Sequence, residues 1–225
     1  IDLGDWFGTL EGLGLGPNVA SLIGHNTVRR EVMGTVNRQA QPDEIALMQA
    51  LIDRAMRDGA VGFSTGLLYV PGTYADTGEV VQLAQAAARH NGVYTSHIRD
   101  QGRKLLESIT EAATIGREVG MPVQISHFKV YTKRDWGDSV RSIALVEDFR
   151  ADGVDVAVDQ YPYDRSSTGL GITLPSWALA DGPDAIAARL ADPETRARVI
   201  QDMQTMLETG GFPDYSYATV AGFGP

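Results

Sequence analysis

The chain contains no cysteine, which excludes disulfides, thiolate nucleophiles and cysteine metal ligands from within it and accords with a reducing cytoplasm. Basic residues are in deficit: 19 Lys and Arg stand against 29 Asp and Glu, a formal net charge of −10. A surface of that sign repels phosphate, so nucleic acid is not expected as a partner. No apolar run approaches the roughly 20 residues that span a bilayer, no signal peptide is visible, and no membrane partner is expected. Nor does a glycine-rich phosphate-binding fingerprint follow any predicted strand. What remains is 225 residues, 43% of them hydrophobic and 21% charged, enough to bury the core of one large soluble domain. The chain opens on Ile1 and closes on Gly224-Pro225 after a polar stretch, and both ends read as cuts within a longer protein.

Residues 1–17, rich in glycine, predict a loop or short amphipathic turn, and Asn18 to Gly24 a strand with His25 just past its end. A helix is expected from Pro42, a residue favoured in the first turn, with Ile45, Met48, Leu51, Ile52, Ala55 and Met56 at helical spacing and Gly59 as the stop. The pattern then repeats. Predicted strands start at Ala60, Gly92, Met121 and Val154, separated by 32, 29 and 33 residues, each interval one βα unit. Asp76 and Glu79 have capping-box spacing at the start of one of the intervening helices. Strict alternation predicts an α/β fold with a parallel sheet. A doubly wound sheet and a (β/α)8 barrel both satisfy it, and the barrel is preferred. Polar chemistry gathers at the carboxyl ends of the strands, at His25, Ser64, His97, His127 and Tyr161, the face where barrels keep their active sites. Five strands can be counted where a closed barrel has eight. After Pro162 the alternation stops, and Ala185 to Leu190 and Pro193 to Leu207 read as surface helices of an insertion or lid.

His97 and His127 end consecutive predicted strands at equivalent positions, within reach of one ion. Zinc takes imidazole nitrogen readily, and its catalytic sites use three protein ligands plus water, so two histidines are half a site. His25 is a third ligand or a turn-stabilising residue; His90, at a helix end, is expected in solvent. Lys129 suits a substrate carboxylate or, equally, a solvated loop. Tyr161 and Tyr163 flank Pro162, and a tyrosine hydroxyl there either donates to a developing oxyanion or packs with a wet tip.

Several segments together resemble the N-acyl-D-amino-acid deacylases (D-aminoacylases) of the amidohydrolase superfamily. They are Gly66-Leu67-Leu68-Tyr69-Val70-Pro71-Gly72, Ser96-His97-Ile98-Arg99-Asp100, Ile125-Ser126-His127-Phe128-Lys129, and Tyr161-Pro162-Tyr163 with Ser167-Thr168, supported by Gly24 to Arg29 and Lys133 to Gly137. The resemblance implies a metal-dependent (β/α)8, TIM-like barrel, here about five βα units with the start of a helical insertion. Residues 1–176 would be the central part of the catalytic barrel and 177–225 the insertion or lid. It implies zinc ligation by His97 and His127, a catalytic Tyr161 polarising the scissile carbonyl, and substrate contacts from Lys129, Tyr69, Ser167 and Tyr163. The family's His-x-His pair and cysteine ligand would precede Ile1, and its catalytic aspartate would follow Pro225.

The implied activity is zinc-dependent hydrolysis of N-acyl-D-amino acids, small-molecule substrates, to carboxylate and free D-amino acid. A cyclic-amide hydrolase of the hydantoinase or dihydroorotase type is the alternative within the superfamily. From a different class comes an inactive fragment, because two imidazoles alone are expected to hold zinc weakly.

Overall fold

The computed structural model describes residues 2–222; Ile1 and residues 223–225, the outer ends of the two segments expected from sequence, lie outside the described residues. Five parallel strands, β1 (Ile23–Gly24), β2 (Gly62–Gly66), β3 (Val93–His97), β4 (Val123–Ile125) and β5 (Val156–Val158), pair in the order β1-β2-β3-β4-β5. That order separates the two architectures that alternation alone leaves open. Right-handed crossovers that always step in one direction put every helix on the same side of the sheet, whereas a doubly wound sheet reverses at a switch point. The observed order is that of a barrel wall.

The two faces of the wall differ as this requires. One cross-strand row, Phe63, Tyr94, Val123 and Val156, is at most 2% exposed and packs into the helical layer. The neighbouring row, Ser64, Thr95, Gln124 and Ala157, is polar or small and lies on the opposite, inner face. Helices α3 (Pro42–Arg57), α4 (Thr77–Ala88), α5 (Leu105–Val119) and α6 (Ser139–Ala151) cover the apolar side with Met48, Ile52, Leu83, Ala87, Ile109, Ile115 and Val146, all buried. Pro42 opens α3 as expected, and Gly120, in the left-handed region at φ +70°, closes α5.

Strand pairing is so close at β2 and β3 that a side chain on Gly62 would meet backbone. A Cβ there would lie 2.1 Å from the Val93 carbonyl oxygen. Gly62→Ala is therefore expected to cost about 1–3 kcal/mol, the usual cost of overpacking. Gly8→Ala, with nothing within 4 Å, should be neutral or stabilising by up to about 1 kcal/mol, since alanine is the better helix former. Urea denaturation of the pair measures both.

Two helices replace what reads as loop. Residues Leu3–Gly12 form α1, whose N-cap Asp2 accepts from the Asp5 N–H at 3.0 Å. Its three glycines argue against a helix locally, but buried Leu3 and the Asp2–Arg54 ion pair dock it on α3. His25 is the first residue of α2 (His25–Met33), so the strand before it shrinks to Ile23–Gly24. Beyond β5 the chain forms short turns and then α7 (Pro183–Ala191) and α8 (Pro193–Gly210). This segment is tied at one end to the loop after β2, where the Tyr74 hydroxyl donates to the Ser176 carbonyl at 2.6 Å. At the other it meets the loop after β4, where Phe212 lies 5.9 Å from the Tyr131 ring.

Candidate metal centre

Strand parity places His97 on the inner face with Thr95, since Tyr94 and Ser96 are fully buried on the other side. The same rule would send His127 the wrong way, into the helical layer behind Val123 and Ile125. It does not go there, because β4 ends at Ile125 and His127 adopts φ +43°. That left-handed conformation costs a non-glycine residue about 1–2 kcal/mol. Asp159 at the end of β5 holds it in place. Its carboxylate accepts the His127 N–H at 2.6 Å and its carbonyl accepts the Phe128 N–H at 2.7 Å.

The turn brings the two imidazoles together. His97 Nδ1 lies 2.8 Å from His127 Nε2, with the rings nearly perpendicular at 76°. Two ring nitrogens converging on one point at the carboxyl ends of adjacent strands fit two ligands of a zinc site. No cluster of three or more His, Cys, Asp or Glu that could hold a metal occurs among the described residues. Burial first, then the charges of His127 and Lys129, push His97 down to about 4. Burial and Lys129 lower His127 as well. The neutral imidazole favoured by these shifts is the form that has a lone pair to give to a metal.

The structure brings three further predicted residues to the pair. Lys129 Nζ lies 3.4 Å from His127 Nδ1, donates to the His127 carbonyl at 3.2 Å, and stands 5.3 Å from the Tyr161 ring centroid. Burial lowers its ammonium, which makes it receptive to an anion. Tyr69 packs on His97 with ring centroids 4.8 Å apart, and its hydroxyl is 3.2 Å from Thr168 Oγ1. Tyr163 stacks on Tyr161 but is 73% exposed, and Ser167 is exposed while its neighbour Thr168 makes the contact to Tyr69.

His25 is not with the pair. It is fully buried, and its Nε2 meets Glu79 Oε1 at 2.9 Å, while Arg29 Nη1 donates to the other carboxylate oxygen at 2.5 Å. Only half of the capping box between Asp76 and Glu79 forms: Asp76 accepts the Glu79 N–H at 2.8 Å, but the Glu79 carboxylate turns inward to His25 and Arg29. His90 is paired with Asp53 at 2.8 Å. Two residues just beyond β3 carry contacts to which the sequence reading gave no role. Arg99 is bidentate to Glu111, at 2.9 and 2.8 Å, and Gln101 lies 2.8 Å from His127 Nδ1. Arg99 lies in the Ser96 to Asp100 segment that carries the resemblance, whereas only its position four residues after His97 marks Gln101.

No family model matches the chain. Among characterised proteins it is 40% identical over 167 residues to N-acyl-D-glutamate deacylase of Alcaligenes xylosoxydans xylosoxydans, which covers 74% of this chain and 34% of the relative. Its structure resembles a crystal structure of D-aminoacylase described as defining a novel subset of amidohydrolases, with TM-score 0.69 and 40% identity, over 72% of this chain and 34% of that one. It also resembles N-acyl-D-glutamate deacylase from Bordetella bronchiseptica, complexed with zinc and a phosphonate that mimics the tetrahedral intermediate of the reaction. That match has TM-score 0.69 and 36% identity, again over 72% of this chain and 34% of that one. The chain thus spans about a third of the length of the curated relatives it matches. By sequence and by fold it is a homologue of the N-acyl-D-amino-acid deacylases, its five successive parallel strands and the helices between them matching part of their amidohydrolase barrel.

Proposed function

We propose that the protein containing this chain hydrolyses the amide bond of N-acyl-D-amino acids, with His97 and His127 as two of its zinc ligands. The observation that carries the reading is the 2.8 Å convergence of His97 Nδ1 and His127 Nε2 beside a partly buried ammonium, in a chain homologous to deacylases. Zinc in such a site acts as a Lewis acid and makes water acidic enough to attack at neutral pH. The chain's own residues bind and orient. Lys129 takes the substrate carboxylate, which replaces the ring nitrogen and carbonyl it now faces. Tyr161, packed beside that ammonium, is the catalytic residue: its hydroxyl donates to the scissile carbonyl oxygen as negative charge develops there. Tyr69 forms a wall against His97, and Ser167 and Tyr163 line the outer pocket.

Residues 1–176 read as the central part of the barrel and 177–225 as an insertion or lid, supported by its ties to the loops after β2 and β4. The partner is a small molecule. The net charge of −10 disfavours nucleic acid, no described helix is long and apolar enough to cross a membrane, and a cysteine-free chain accords with the cytoplasm.

Chirality follows from fixing carboxylate, carbonyl and side chain at three separate places. The full-length protein is accordingly expected to release acetate from N-acetyl-D-amino acids and barely from the L-forms. Equal rates on both would sink the stereochemical reading, and ring opening of hydantoins without acetate release would replace it with cyclic-amide hydrolysis.

A further inference from the structure

His127 has two ring nitrogens with different surroundings. Nε2 faces His97 Nδ1 at 2.8 Å. Nδ1 faces the Gln101 side-chain amide nitrogen at 2.8 Å and Lys129 Nζ at 3.4 Å. A neutral imidazole carries one proton, and these neighbours decide which nitrogen holds it. With the Gln101 amide nitrogen and Lys129 facing Nδ1, the tautomer that satisfies every contact has the proton on Nε2, donated to His97 Nδ1. That arrangement is a complete hydrogen-bond chain from Gln101 through His127 to His97, and it occupies both converging nitrogens. His97 Nε2 then carries the last proton, buried and without a hydrogen-bond partner.

A metal needs the opposite tautomer. For His127 Nε2 to ligate, its proton must move to Nδ1, where something has to accept it. Lys129 cannot, since an ammonium has donors only. Gln101 can. Rotating its amide by about 180° exchanges oxygen for nitrogen at nearly the same positions, which is why the two arrangements are sterically equivalent. The residue is held in place: it is 9% exposed, and its backbone carbonyl accepts the Tyr131 N–H at 2.7 Å. The next residue leaves no slack, because a Cβ on Gly102 would lie 2.5 Å from the Thr132 side chain.

We propose that Gln101 is a positioning residue for the metal centre, its amide donating to His127 Nδ1 in the metal-free site and accepting from it when Nε2 ligates. The exchange moves one proton between the two nitrogens of a single ring, through solvent, with none gained or lost. The proposal rests on the reading of His127 as a zinc ligand. It makes the glutamine a two-way partner, unlike the carboxylates and backbone carbonyls that most ligating histidines meet, which can only accept.

The test uses the full-length protein and two variants, Gln101→Met and Gln101→Glu, with Zn2+ affinity measured by chelator competition at fixed pH. Gln101→Met, similar in length but a poor acceptor, is expected to weaken zinc about 10–100-fold, the usual effect of losing an outer-sphere partner. Gln101→Glu keeps an acceptor and should hold zinc at least as tightly as the parent. Charge alone would also tighten zinc, so the second readout is the tautomer of His127 by 15N NMR in metal-free protein. It is expected to be Nε2–H in the parent and Nδ1–H in Gln101→Glu, and this readout decides the matter if Gln101→Met does not fold. Parent-like affinity in folded Gln101→Met, or an Nε2–H tautomer in Gln101→Glu, overturns the role of Gln101. Retention of zinc by His127→Asn would instead overturn the ligand reading beneath it.

Discussion

Replacing His127 is expected to empty the metal site of the full-length protein and abolish its amidase activity together. The outer-sphere partners of a ligating histidine are worth about 10–100-fold in metal affinity, and loss of the ligand itself should exceed that. Activity should fall by more than about 10^3-fold, the upper cost of deleting one oxyanion donor, because the metal serves that role and activates water besides. The choice of substitute matters. His127 sits at φ +43°, where alanine carries the left-handed penalty of about 1–2 kcal/mol and asparagine is tolerated. His127→Asn thus removes the imidazole while keeping the turn, and His127→Ala removes both. Metal analysis and rates on N-acetyl-D-amino acids, set beside urea melts of both variants, separate lost ligation from lost stability. Activity and metal retained in His127→Asn would remove the ligand assignment.

The second large effect concerns stability. Glu79→Ala should destabilise the fold by about 3–5 kcal/mol, because it leaves a buried guanidinium without its anion. Arg29 and His25 are both 0% exposed and Glu79 is 3% exposed, so solvent cannot take over the pairing. The remaining partner, the Arg38 carbonyl at 2.6 Å from Arg29 Nη2, is neutral. Against a typical stability of about 5–15 kcal/mol, such a loss is a large fraction of the total, read as a marked drop in urea midpoint. The surface pair Asp53–Arg57, with the arginine 62% exposed, offers the contrast; Arg57→Ala should cost less than about 1 kcal/mol.

The same cluster sets an acid limit. Burial alone would raise the Glu79 carboxyl, but the hydrogen bond from His25 and the charge of Arg29 outweigh it and hold the group below its usual value of 4.5. A carboxyl depressed on folding stabilises the native state fully above its unfolded value, and the contribution drains away as pH falls through the folded one. Urea midpoints should therefore decline below about pH 4.5 in the parent and show a shallower decline in Glu79→Ala. Equal slopes would show that this carboxylate does not contribute to acid sensitivity.

Much of the architecture was legible in local pattern. The 29- to 33-residue interval between strand starts, the Pro42 helix start and the Gly59 stop each record a period or a backbone preference set by local sequence. His97 was legible too, since parity on β3 is decided within β3. What pattern could not separate was a barrel wall from a doubly wound sheet, because alternation of strands and helices is common to both. The order β1-β2-β3-β4-β5 separates them, and order is a property of pairing between segments. Helix α1 was obscured by its glycines, whose unfavourable propensity is offset by the docking of Leu3 and Asp2, contacts made some 50 residues away.

At the site the division is sharper. Residue chemistry and spacing by themselves determined that two imidazoles leave adjacent strands at the same end of the sheet. Tertiary structure alone decided that they meet. Parity would have turned His127 into the helical layer, and it faces His97 only because Asp159, just past the next strand, holds its backbone at a left-handed φ. Tertiary structure likewise took His25 away to Glu79 and brought Gln101 to His127 Nδ1. The reason is the same in each case. A side chain's direction within one element follows from local geometry, but its partner is set by long-range contacts that carry no signature in local spacing.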